Sequence, residues 1–102
     1  MAKKLLLFIF LIISLVSSAA DANRKFTLCI DPGHGGKDTG APGSKSVEKD
    51  INLSVALAFG RYVERNCPDV TVVYTRKTDV FIPLYERAEI ANRKKADLFI
   101  SV

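Results

Sequence analysis

From residue 26 onward the apolar positions switch between two periods, and each switch marks an element. Phe26-Thr27-Leu28-Cys29-Ile30 is a short apolar run stopped by Asp31-Pro32-Gly33, which predicts a buried strand ending in a turn. The stretch from Gly33 to Gly43 holds five glycines, and His34 is its one ring-bearing side chain besides Pro42. It reads as a loop dominated by backbone. From Ser46 the spacing becomes helical, with Ser46 as the cap, Glu48 in the first turn, and Ile51, Val55, Ala58, Phe59 and Tyr62 recurring at threes and fours. A second apolar row of Leu53, Ala56, Leu57 and Val63 predicts a largely buried helix. Asn66-Cys67-Pro68-Asp69 ends it, and the β-branched run Val70 to Thr75 predicts the next strand. Pro83 suits the first turn of a second helix running to about Lys95, with Leu84, Ala88 and Ala91 on one side. Leu98 to Val102 then predicts a third strand.

Strand, loop, helix, strand, helix, strand is the order of an α/β protein. The expected architecture is a three-layer open, mainly parallel sheet flanked by helices and truncated after the third strand. With little core for its surface, such a chain is expected to be a fragment of a longer domain, poorly stable by itself and prone to aggregate through uncovered strands.

The N-terminal twenty residues belong to a different class. Lys3 and Lys4 precede the apolar stretch Leu5 to Val16, and Ser17-Ser18-Ala19-Ala20 follows, the pattern of a secretory signal peptide. Twelve residues fall short of the roughly 20 that span a membrane, so export without stable membrane insertion is expected. Cleavage after Ala20 fits, and Ala20-Asp21-Ala22 offers a second site. The domain reading is therefore a signal peptide at 1–20, a polar leader at 21–25 and an incomplete α/β domain at 26–102.

Composition then changes the picture in one respect. The chain carries 15 Lys+Arg against 11 Asp+Glu, a formal +4, and is 48% hydrophobic. Removing the two signal lysines leaves +2 over 82 residues, which argues for no nucleic-acid partner. Cys29 and Cys67 would enter an oxidising compartment, yet the helix between them carries the chain back to the opposite edge. Thiols whose Cα atoms lie more than about 7 Å apart are not bridged, so both are expected to be free.

Ligands of open parallel sheets bind beyond the C-terminal strand ends, where the glycine loop leaves the first strand. His34, flanked by glycines, is placed as a metal ligand or an acid/base group needs, although an ordinary exposed loop histidine has the same sequence. Glu48 starts the following helix at the same edge. It is either an acid favoured by the helix N-terminus or a partner of His34 at one ion. The glycines do not form a phosphate-binding loop, because Asp31 stands five before Gly36 and Asp38 follows Lys37; a dinucleotide motif starting at Gly33 fails because Asp38 takes its third glycine position.

Ile30-Asp31-Pro32-Gly33-His34-Gly35-Gly36-Lys37-Asp38, then Glu48 to Leu53, then Tyr74-Thr75-Arg76 with Asp79, and Leu84 to Arg87 with Ala91-Asn92 resemble the zinc-dependent N-acetylmuramoyl-L-alanine amidases of bacterial cell-wall turnover. The resemblance runs from about Phe26 to Val102, and the linked order of the motifs makes it specific. It implies that His34 and Glu48 are two of three protein ligands to a catalytic Zn²⁺. The reaction implied cuts the amide between the lactyl group of N-acetylmuramic acid and the L-alanine of the stem peptide, so the implied partner is peptidoglycan and the implied place of action is the periplasm or the cell exterior. Arg76, Asp79, Arg87 and Asn92 belong to the resemblance as structural residues, in exposed ion pairs or in a fold-stabilising network. Arg93-Lys94-Lys95 reads as a solvated helix end, with a contact to anionic wall polymers as the alternative.

The chain departs from that family pattern in its site. The third ligand is expected in a His-x-Asn motif directly after the last strand and the general-base glutamate further on; neither is present, and His34 is the one histidine. An inactive piece of an amidase is therefore the first expectation. A non-catalytic peptidoglycan-binding or regulatory module on the same scaffold is the alternative, and another zinc hydrolase acting on a different amide is the third.

Overall fold

A computed structural model describes residues 24–102. The expected signal peptide and most of the polar leader lie outside the described residues. Among the described residues three strands, β1 (Phe26–Asp31), β2 (Val70–Tyr74) and β3 (Leu98–Ser101), alternate with two helices, α1 (Glu48–Asn66) and α2 (Leu84–Arg93). The sheet order is β2-β1-β3 and both pairings are parallel. Phe26 to Ile30 lie opposite Val70 to Tyr74, and Leu28 to Asp31 opposite Leu98 to Ser101.

The central position of β1 follows from its composition. A strand buried on both faces needs a continuous apolar run, and Leu28, Cys29 and Ile30 are all buried. Alternation sends Leu28 and Ile30 to one face, where they form a core with Ala56 of α1, and Val72, Tyr74 and Ile100 pack against it. Cys29 and Asp31 take the other face, and a hydrogen bond from Arg87 of α2 to Asp31 puts that helix there. The sheet thus has a helix on each side, the three layers expected. Asp97 ties the two strand beginnings, accepting from the Thr27 N–H at 2.8 Å and from Arg24 at 2.7 Å. Cys29 and Cys67 are both free, and burial pushes the Cys29 thiol up, with nearby Asp31 adding to the shift.

Four expectations about the elements are corrected. First, Ser46 does not cap α1. The helix starts at Glu48 after an extended Val47, and its first free N–H groups are taken by loop carbonyls, Glu48 by Ala41 and Lys49 by Thr39, each at 3.0 Å. Those bonds fold the glycine loop back onto the helix start. Second, α1 is not largely buried. Its packed row is Ala56 and Gly60 with Leu53, Leu57 and Val63 part-buried, while Ile51, Val55 and Tyr62 are 51%, 50% and 66% exposed. Small residues decide this face, because Gly60 passes so close to Tyr74 that a Cβ would strike the phenol oxygen. Third, α2 ends at Arg93 and buries Arg87 and Ala91, whereas Leu84 is 86% exposed. It closes in a Schellman turn, with Lys95 left-handed (φ 54), Ala96 N–H on Ala91 O and Lys95 N–H on Asn92 O. Fourth, β3 is not a buried core strand, since Leu98 and Phe99 are both exposed.

Candidate metal centre

The loop leaving β1 starts under tight control. Asp31 is buried, and its carboxylate accepts from Thr75 of the segment after β2 (2.7 Å), from Arg87 of α2 (2.9 Å) and from Ser101 of β3 (2.8 Å). Arg87 donates further to the carbonyls of Pro32 and His34, each at 2.7 Å, and of Ile82 at 2.9 Å. Arg76 takes the Pro32 and Gly33 carbonyls at 3.0 and 2.8 Å, together with those of Thr78 and Lys49. Both arginines are almost fully buried. An unpaired buried carbonyl or guanidinium is strongly unfavourable, so each group requires the other. Desolvation, then the like charge of Arg87, lowers the Arg76 pKa.

These clamps fix the carbonyls on either side of a residue in an uncommon backbone conformation. His34 has φ 62, which disfavours any side chain by roughly 1–2 kcal/mol. The turn after it is closed by a pair of backbone bonds, Gly35 N–H to Asp38 O at 2.7 Å and Asp38 N–H to Gly35 O at 3.0 Å. Asp79 adds a second support, accepting from Gly36 N–H at 2.8 Å and Lys49 Nζ at 2.9 Å. Arg76, Arg87 and Asp79 are therefore parts of a fold-stabilising network, and exposed Asn92 takes no side-chain part in it. Lys94 and Lys95 are exposed at the end of α2.

The imidazole of His34 lies between two carboxylates. Nδ1 is 2.9 Å from Asp38 Oδ2 and Nε2 is 3.0 Å from Glu48 Oε2. The two residues singled out from the sequence are thus brought together, and Asp38, which closes the Ile30–Asp38 motif and had no role assigned at the centre, joins them. The Asp38 hydrogen bond raises the His34 pKa, with the charges of Asp38 and Glu48 adding to it against desolvation. His34 in turn holds the Asp38 carboxyl below the usual range, helped by the Gly40 N–H. Gly40, at φ +66, lets the loop pass over both side chains, since a Cβ there would come within 2.8 Å of Glu48 and of His34 Cδ2.

The arrangement fits a divalent metal as far as two ligands go. A neutral imidazole nitrogen and a carboxylate oxygen suit zinc, and at bond lengths of about 2.0–2.2 Å tetrahedral neighbours stand roughly 3.3–3.5 Å apart. The observed 3.0 Å has to open by only a few tenths of an ångström. Among the described residues no group of three or more His, Cys, Asp or Glu side chains is placed to hold a metal ion. The pair faces an open cavity of about 590 Å³, with Asn52 and Arg87 on its polar side and Phe81, Ile82 and Leu84 on its apolar side.

The family model described as N-acetylmuramoyl-L-alanine amidase matches residues 28–102. The chain belongs to the N-acetylmuramoyl-L-alanine amidase family. It is 40% identical over 84 residues to the amidase AmiC of Escherichia coli O6:H1, covering 81% of this chain and 20% of the relative. With AmiA of Escherichia coli K12 the identity is 42% over 85 residues, covering 82% of this chain and 29% of the relative. Among solved structures, the amidase AmiC2 of Nostoc punctiforme superposes with a TM-score of 0.68 at 43% identity, over 74% of this chain and 42% of that one. An amidase from Clostridium difficile 630 gives a TM-score of 0.72 at 38% identity, over 78% and 43%. The chain thus spans less than half the length of these relatives, and the stretch matching the amidase family model contains both His34 and Glu48.

Proposed function

We propose that this chain supplies the first part of an exported, zinc-dependent N-acetylmuramoyl-L-alanine amidase that cleaves peptidoglycan between the lactyl group of N-acetylmuramic acid and L-alanine. The observation that carries the reading is the facing of His34 Nε2 and Glu48 Oε2 across 3.0 Å at the C-terminal edge of a parallel sheet, in a chain of the amidase family. Residues 1–20 are its export signal, and the periplasm or the cell exterior is where it acts. Its role is cell-wall turnover or cell separation.

His34 through Nε2 and Glu48 through its carboxylate would hold the zinc. When bound, zinc lowers the pKa of its water toward about 7 and polarises the scissile carbonyl. The protein's part begins with the buried arginines, which keep the His34 backbone in its left-handed turn so that the ring meets Glu48 without rearrangement. Glu48 is the first residue of α1, and the loop carbonyls on its N–H and on that of Lys49 hold it opposite that ring. One neutral and one anionic ligand leave a dication with net positive charge, as an electrophile requires. The third ligand and the general-base glutamate are expected from a segment following residue 102. With one histidine in 102 residues, the chain alone is expected to hydrolyse nothing.

The test compares this chain, without residues 1–20, with a polypeptide that also includes the coding sequence beyond Val102. Zinc in stoichiometric amount and release of L-alanine-terminated peptides from purified peptidoglycan are expected from the longer form alone. A longer form that carries no zinc and releases nothing would overturn the amidase reading. The lone histidine favours the second reading, a non-catalytic peptidoglycan-binding module, and co-sedimentation with peptidoglycan without cleavage is its signature.

A further inference from the structure

We infer that Asp38 is the positioning residue of this centre: its carboxylate accepts the Nδ1–H of His34 and so commits Nε2, without a proton, to the metal shared with Glu48. The inference rests on the zinc reading above and deepens it. Asp38 is itself fixed independently of the ring. Its backbone is paired with Gly35 in both directions, and its Oδ1 accepts the Gly40 N–H at 3.2 Å, which leaves Oδ2 directed at Nδ1 at 2.9 Å. The two imidazole nitrogens lie on opposite sides of the ring, and Glu48 occupies the Nε2 side. An ion held by Nε2 and Glu48 is therefore out of reach of Asp38 through that ring, and the role left to Asp38 is to hold it.

The need for such a residue comes from the surroundings of the ring. The His34 side chain is one-third exposed, so packing alone does not select one of its two flipped orientations, and a neutral imidazole presents either nitrogen to a metal. A carboxylate on the second nitrogen settles both the orientation and the tautomer and makes the ligand more basic. The buried arginines act differently. They hold the His34 carbonyl and fix the main chain, while Asp38 fixes the ring.

The experiment titrates zinc chloride into the chain labelled with ¹⁵N-histidine and follows the two ring nitrogens, which reads weak as well as tight binding. With a single histidine, the signals need no assignment to a position. Zinc is expected on Nε2 while Nδ1 keeps its hydrogen. Asp38→Ala is expected to weaken the affinity about 10–100-fold and to let the metal take either nitrogen. Asp38→Asn, whose amide oxygen accepts the same N–H, is expected to recover most of the loss. Amide spectra verify that both variants keep the fold. If Asp38→Ala binds zinc as the unaltered chain does and through the same nitrogen, or if zinc sits on Nδ1 in the unaltered chain, the inference is wrong while the zinc reading stands. If zinc reaches His34 neither in this chain nor in the polypeptide extended beyond Val102, both fall together.

Discussion

The two halves of the loop between β1 and α1 are built on different principles. From Pro32 to Gly36 the backbone is held by ionised side chains, the buried Arg76 and Arg87 on three consecutive carbonyls and the exposed Asp79 on an N–H. From Lys37 to Ser46 the chain is mostly exposed, and its carbonyls and N–H groups are held mainly by other backbone groups, as in Gly43 N–H to Ser46 O at 2.8 Å and the Pro42–Val47 bridge. His34 belongs to the first half through its main chain and to the second through its ring, which meets Asp38. Fold and candidate metal site are thus expected to be separable by mutation even though they share a residue.

The strongest way to break this division is at Arg87. Arg87→Ala strips the buried Asp31 carboxylate of its cation and the His34 and Ile82 carbonyls of this donor, while Pro32 keeps Arg76, and breaking a buried pair in this way is worth about 3–5 kcal/mol. Loss of cooperative unfolding in a urea titration is expected. Arg87→Lys is expected to recover little, because a single ammonium cannot span the fork between Asp31, Pro32 and His34.

Gly40→Ala tests the other half. The added Cβ meets Glu48 and His34 at 2.8 Å in a backbone with φ +66, for an expected loss of about 1–3 kcal/mol. Its zinc uptake is expected to fall far more than its thermal midpoint, the reverse of a clamp mutant. A variant that lost stability but bound zinc normally would show that the loop tolerates a wider separation of the two ligands.

Acid sharpens the comparison on the clamped side. Hydrogen bonds from Lys49 and then from Gly36 N–H hold the Asp79 carboxyl below its ordinary value of 3.8. A carboxylate depressed in the folded chain stabilises it above the unfolded pKa, and that contribution is lost as pH falls below about 4 and through the folded value. Asp79→Asn is expected to lower stability at neutral pH and to flatten part of the acid-induced loss, read as urea midpoints at pH 3 to 7.

The smallest effect contrasts the two left-handed residues that are not glycine among the described residues, His34 (φ 62) and Lys95 (φ 54). Lys95 ends α2 and has no partner in the centre, so Lys95→Gly is expected to stabilise the chain by about 0.5–1 kcal/mol and leave zinc binding untouched. His34→Gly is expected to relieve the same strain and abolish zinc binding.

Much of this was legible beforehand, for identifiable reasons. Period-two and period-three-four runs mark strands and helices directly, and glycines around a lone histidine mark an uncrowded side chain at the loop. The resemblance of linked motifs then connected His34 with Glu48. What stayed hidden depends on distant partners. Nothing local distinguishes Arg87 from the exposed charges beside it on α2, since its burial is decided by Asp31, 56 residues away. Ser46 has the composition of a cap, but carbonyls from the returning loop occupy the helix start. The bulky row Ile51, Val55 and Tyr62 has the hydrophobicity of a core, but size decides the packed face, because Ala56 and Gly60 let the helix approach the sheet.

The order of the sheet also bears on how the chain is made. The central strand β1 leaves the ribosome first, yet its neighbours, beginning at Val70 and Leu98, emerge long afterwards. Leu28, Cys29 and Ile30 therefore wait for both partners until β3 has been synthesised. Pairings between strands so distant in sequence form slowly, and an apolar segment left open during that interval is a site for self-association.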